Sequence, residues 1–148
     1  MAQKQPSKLR VFKVKGCPNL DERTIDLMVK YLNHAIQVLK LGDKEVKIRL
    51  LGANPSEPIT TGAYNPNTKT CSTIVAGRHL IDWCRTLAHE LTHMKQDYAG
   101  EIEQAHPEIG GKIEDEANAM SGRITKYFIK KILTKEDKKF LGLGSYGD

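Results

Sequence analysis

His89-Glu90-Leu91-Thr92-His93 reads H-E-x-x-H, and the arrangement of the rest of the chain can be worked out from it. On an α-helix residues four apart share a face, so both imidazoles can reach one ion. Glu90 is turned about 100° from His89, which sets its carboxylate beside such an ion as a proton acceptor rather than a ligand. Five residues match by chance often enough that the motif has meaning only in context. Leu80, Trp83, Leu87, Leu91 and Met94 recur at intervals of three and four, an apolar stripe of helical period. His89, Glu90 and His93 lie off that stripe, with Asp82, Thr86 and Asp97 on about the same side. The pattern predicts a helix that presses its stripe into the core, turns its histidines to a cleft and ends near Asp97 and Gly100.

Elements on either side follow the same logic. Leu9 to Val14 mixes apolar and basic residues like a strand with one wet face. Asn19 with Glu22 resembles a capping box, and Ile25, Met28, Leu32, Ile36 and Leu39 form the apolar face of a long helix stopped at Gly42. Val46, Ile48 and Leu50 alternate with Lys47 and Arg49, a second strand. Strand, long helix, strand predicts a parallel pair joined by a crossover. Residues 59–64 and 71–76 read as a hairpin around Asn65-Pro66-Asn67-Thr68, whose edge could take up an extended peptide by strand addition. After a loop from Ala99 to Gly111, a helix from near Lys112 buries Ile113, Ala117, Met120, Ile124, Phe128 and Ile132, and Thr134 with Asp137 caps a short terminal helix. The expected fold is α+β, one domain over residues 1–148 with residues 1–8 and 142–148 frayed. A small mixed sheet packs on the long N-terminal helix, the motif helix and a C-terminal helix.

Composition bounds the function. With 39% apolar and 28% charged residues the chain suits a globular protein. No apolar run approaches a membrane span, and Met1 to Lys8 lacks an apolar leader core, so no membrane partner is expected and the cytoplasm is the expected compartment. Cys17, Cys71 and Cys84 are odd in number and lack C-x-x-C spacing, which argues against a disulfide framework and a cysteine metal site. The net charge is +5, yet residues 81–122 hold nine acidic against three basic residues, an environment suited to a divalent cation. The basic flanks read first as a solvated face and second as a nucleic-acid contact.

Two histidines and a base are the core of a zinc hydrolase, which needs a third protein ligand. The pattern H-E-x-x-H-x-x-G-x-x-H fails, because Gln96 and Ala99 stand where glycine and histidine are required. A carboxylate from Glu114-Asp115-Glu116 on the next helix and His106 in the loop remain open. Glu114 and Glu116 lie about 200° apart around a helix, so only one of them can face the cleft. Glu114-Asp115-Glu116-Ala117-Asn118 resembles the gluzincin signature, in which a ligand glutamate precedes an Asp or Asn by four residues. The resemblance implies Glu114 as third ligand and Asn118 as the acceptor that fixes a ligand histidine, His89, with Glu116 as the fallback. His106, thirteen residues after His93, bears a looser likeness to the third histidine of SprT-like proteases.

More broadly, Thr86 to Gln96, then Tyr98, Gly100, Glu101 and E-x-E-A, is similar to short metallopeptidase-like proteins encoded by bacteriophages, over about residues 72–120. Ile113 stands where such proteins often carry a bulky aromatic. The resemblance implies a minimal zincin-like fold and a zinc metallopeptidase with one Zn2+ per chain. It also implies a peptide or protein substrate, metal-activated water and Glu90 as general base. Tyr98, His106 and Arg78 are candidate oxyanion donors. The competing expectations are a non-catalytic zinc-binding structural or phage-particle protein, and an SprT-like protease recruited to nucleic acid.

Overall fold

Alternation of Val46, Ile48 and Leu50 with Lys47 and Arg49 puts the apolar side chains of this strand on one face, and in the computed structural model they are buried. The structure describes residues 8–104 and 110–144. Four strands, β1 (Leu9–Lys13), β2 (Val46–Leu51), β3 (Gly62–Asn65) and β4 (Thr70–Ile74), form one mixed sheet in the order β1-β2-β4-β3. β1 and β4 both run parallel to β2, with Val11 opposite Ile48 and Ile48 opposite Cys71. β3 returns antiparallel to β4 as the edge strand, Tyr64 opposite Cys71. The helices are α1 (Glu22–Val38), α2 (Leu80–Tyr98), the short α3 (Glu101–Gln104), α4 (Gly110–Tyr127) and α5 (Lys135–Phe140), and a π-helical turn at Phe128–Ile132 follows α4. The protein is therefore α+β, with the parallel pair and the hairpin where the patterning puts them. Among the described residues no helix is long and apolar enough to cross a membrane.

α2 buries the stripe read from its sequence: Leu80, Trp83, Leu87, Leu91 and Met94 all lie in the core. Trp83 satisfies its indole by donating to Thr73 Oγ1 at 2.9 Å, which ties the helix to β4. Gly100, with φ +77, takes the left-handed position beyond the Ala99 cap, where glycine is favoured.

Other expectations shift by a residue or two, each for an identifiable reason. β1 leaves Val11 and Phe12 about half exposed, because among the described residues it is an edge strand with a neighbour on one side only. β3 starts at Gly62 rather than Ile59. α1 is capped by Asp21, which accepts from the Thr24 amide at 2.7 Å, so Asn19 does not form the expected box with Glu22. A carboxylate is favoured there by the positive end of the helix dipole. The buried face of α1 includes Leu27 and Tyr31, while Ile25 remains 38% exposed. Tyr31 keeps its hydroxyl paired with Thr125 Oγ1 at 2.8 Å. The helix stops at Lys40 (φ 57), before Gly42. There the Leu41 amide donates to Ile36 O at 2.9 Å and Leu41 packs into the core. After α4 the Leu133 amide reaches Phe128 O at 2.9 Å, a step of five residues. That extra residue turns Ile129 and Leu133 inward and leaves Ile132, expected inside, half-buried.

Thr134 and Asp137 form the full capping box of α5, and Asp137 also accepts from Lys30 Nζ at 3.3 Å and Arg23 Nη2 at 3.4 Å, anchoring α5 on α1. Burial works against ionisation of Asp137, but the Thr134 cap bonds and the Lys30 ammonium outweigh it and hold its pKa below the usual carboxylate value. A carboxyl depressed in the folded state stabilises above its unfolded pKa of about 3.9 and loses that contribution as pH falls through the folded value. Asp137→Ala is expected to lower stability by about 1–2 kcal/mol near neutral pH. In urea titrations across pH, most of the gap to wild type should close below about pH 3.

Candidate metal centre

His89 and His93 project from α2 toward α4, and Glu114 projects back from the first turns of α4. One carboxylate spans both rings: Glu114 Oε2 lies 3.0 Å from His89 Nε2, and Oε1 lies 2.9 Å from His93 Nε2. The two Nε2 atoms are 3.1 Å apart. His89, His93 and Glu114 thus form a cluster that could hold a metal ion. Four ligands set tetrahedrally about 2.0–2.1 Å from an ion lie about 3.3 Å from one another, so the observed triangle is only slightly contracted.

The hydrogen bonds behind His93 test that fit independently. Gln96 Nε2 donates to Ile113 O at 3.1 Å and to Glu116 Oε1 at 2.8 Å. Two acceptors on that side fix the amide orientation, so Gln96 Oε1 is the atom 2.8 Å from His93 Nδ1. Nδ1 therefore donates to Gln96, which leaves Nε2 as the ring nitrogen facing the Glu114 carboxylate. The 2.9 Å contact between Nε2 and the carboxylate suits either a shared proton or a cation held by all three residues.

Glu90 stands beside this cluster, only 8% exposed. Burial pushes its carboxyl up to about 7, with His93 opposing the shift and Glu114 adding to it. Edge strand β3 covers it. At Gly62 a Cβ would come within 2.5 Å of Thr86 Cγ2 and 3.3 Å of Glu90 Cγ, so only glycine lets the strand approach this closely. Tyr64 on the same strand donates to Asp97 Oδ2 at 2.5 Å, and Lys69 Nζ reaches the same oxygen at 2.7 Å. This latch holds the hairpin over the C-terminal half of α2. A cavity of about 1060 Å³ opens between β3, α2 and α4 above Glu90 and Glu114.

The remaining sequence candidates separate clearly. Asn118 lines the cavity, but among the described residues no hydrogen bond joins it to His89; the histidine that is fixed from behind is His93, by Gln96. Glu116 does not face the ligand triangle and instead orients Gln96. Tyr98 does not line the cavity: its hydroxyl donates to Glu45 O at 2.7 Å. Arg78 bonds to the Ile74 and Asp82 carbonyls, also away from the cavity. His106 lies outside the described residues. Cys71 and Cys84 are buried, and burial pushes both thiols up, as for packed apolar residues. Sequence reasoning passed over Gln96, whose only local signal is its position three residues after His93 on the same helical face. It also passed over the Tyr64–Asp97–Lys69 latch. No protein-family model, curated protein or solved structure matches the chain.

Gln96→Leu removes the acceptor for the His93 ring proton while preserving the size of a buried side chain. Metal affinity is expected to fall by about 10- to 100-fold, as read by competition with a chromophoric chelator. Unchanged affinity would mean that Gln96 does not orient the ligand.

Proposed function

We propose that the chain is a zinc-dependent peptidase of the gluzincin type. The observation that carries this reading is the bridging of His89 Nε2 and His93 Nε2 by the Glu114 carboxylate, with the buried Glu90 alongside. Two imidazoles and one carboxylate are a donor set of catalytic zinc, and a zinc ion bound there would polarise a carbonyl and acidify water.

Each of the chain's own groups has a place in amide hydrolysis. Glu90 accepts a proton from water as the water oxygen bonds to the carbonyl carbon. It returns that proton to the amide nitrogen as the C–N bond breaks, so the products are a carboxyl group and an amine. Burial raises the proton affinity of Glu90, which suits a group that must both take and give a proton near neutral pH. Among the described residues β3 pairs with β4 on one side only. Its free edge, brought down onto Glu90 by Gly62, can accept an extended peptide through main-chain hydrogen bonds.

Elemental analysis of purified wild type, Glu114→Ala and Glu90→Gln, paired with a peptide cleavage assay, tests the reading. Wild type and Glu90→Gln are expected to hold one zinc per chain, Glu114→Ala to lose it, and Glu90→Gln to lose at least about a thousandfold in kcat/KM. Full zinc in Glu114→Ala would refute the ligand assignment. Zinc in wild type without cleavage of any peptide would move the chain to a non-catalytic zinc-binding role.

A further inference from the structure

Arg85 lies one turn before His89 on α2 and lines the same cavity. Four helical residues advance about 6 Å, about the span of two residues of an extended peptide. Its side chain is 47% exposed, and its ion pair is a 3.5 Å contact with the still more exposed Asp82. An exposed pair of that length holds the guanidinium only weakly. Apart from the ligand histidines, Arg85 is the one cationic side chain lining the cavity among the described residues.

Across from it the wall belongs to α4, with Asn118, Ser121 and Gly122. Ser121 Oγ is occupied, donating to the Arg85 carbonyl at 2.7 Å, so it fixes the backbone from which the guanidinium extends. A Cβ at Gly122 would meet nothing within 4 Å, which leaves the wall recessed there. The Asn118 amide has no hydrogen-bond partner among the described residues. A planar fork of N–H donors on one wall and an amide N–H on the facing wall of the same cavity match a carboxylate better than any neutral side chain.

We infer that Arg85 and Asn118 form a subsite for a substrate carboxylate about two residues from the bond that is cut; this rests on the peptidase reading above. The carboxylate is supplied either by an internal Asp or Glu or by the peptide's own C-terminus, and both carry the same chemistry.

Short peptides with Asp, Glu, Ala or Lys scanned through each position, made with blocked and with free C-termini, separate the two sources. Ratios of kcat/KM between peptides are measured for wild type, Arg85→Gln and Arg85→Glu, and direct binding of the same peptides to Glu90→Gln is measured in the same three backgrounds. Wild type is expected to prefer an acidic residue at one position, or a free C-terminus, by about five- to tenfold over alanine. Arg85→Gln should bring that ratio close to one, and Arg85→Glu should turn it toward lysine. Cleavage with a ratio that neither substitution changes overturns the subsite and leaves the peptidase reading standing. Absence of cleavage, combined with Arg85-dependent binding of acidic peptides, overturns the peptidase reading and retains the subsite. Absence of both cleavage and carboxylate-dependent binding overturns both.

Discussion

The candidate site exists because α2 and α4 cross antiparallel and are pinned together on either side of the ligand cluster. Ser121 Oγ bonds the Arg85 carbonyl near the start of α2, and the Gln96 amide bonds the Ile113 carbonyl near its end. Along α2 these pins are about 16 Å apart, and along α4 about 12 Å. His89, His93 and Glu114 lie between them. Each pin joins a side chain of one helix to the backbone of the other, so both fix axial position as well as separation. A slip of α4 by one residue would carry Glu114 about 100° around its axis and off the histidines. More of the contact between elements falls on this helix pair than on any other, with Ala117 fully buried between the pins.

The second constraint comes from the sheet. β3 lies against α2 because Gly62 has no side chain, and the Tyr64–Asp97–Lys69 latch keeps it there. Closing the strand over Glu90 removes water from a carboxylate, which disfavours its charged form. This is a stability cost accepted at one position. Among the described residues the same closure leaves an unpaired strand edge above that carboxylate, a feature that most sheets avoid or blunt. The buried acid and the exposed edge meet at Gly62.

Much of this was legible in the sequence, wherever a signal is periodic or chemical. The α2 stripe, the alternation in β2, the Thr134–Asp137 capping box and the H-E-x-x-H spacing each report a local geometry that neighbouring residues alone determine. The roughly 200° between Glu114 and Glu116 allowed only one of them to face the cleft without saying which. The choice of Glu114 came from the resemblance of Glu114 to Asn118 to a known signature, and Glu114 is the one beside the histidines. What could not be read depends on tertiary contact. Ile25 fits the helical period of α1 as well as Leu27 does, and only the position of the core decides between them. The π-turn after α4 comes from seating Ile129 and Leu133, so an unbroken α-helical period chose Ile132 instead. Tyr98 stands close to the motif in sequence, yet at the helix end it turns to the Glu45 carbonyl, a partner 53 residues away.

Gln96 shows why proximity and role part company most sharply at a site like this one. In the sequence its side chain served only to rule out a glycine-containing pattern. In the structure it joins Ile113 O, Glu116 and His93, so one amide couples the helix pin to the ring orientation of His93. Fixing Nδ1–H leaves Nε2 as the ring nitrogen that faces the Glu114 carboxylate. Because His89 and His93 stand on α2 and Glu114 on α4, an ion held by all three would bind only the crossed helices and so would strengthen the contact that brings those side chains together.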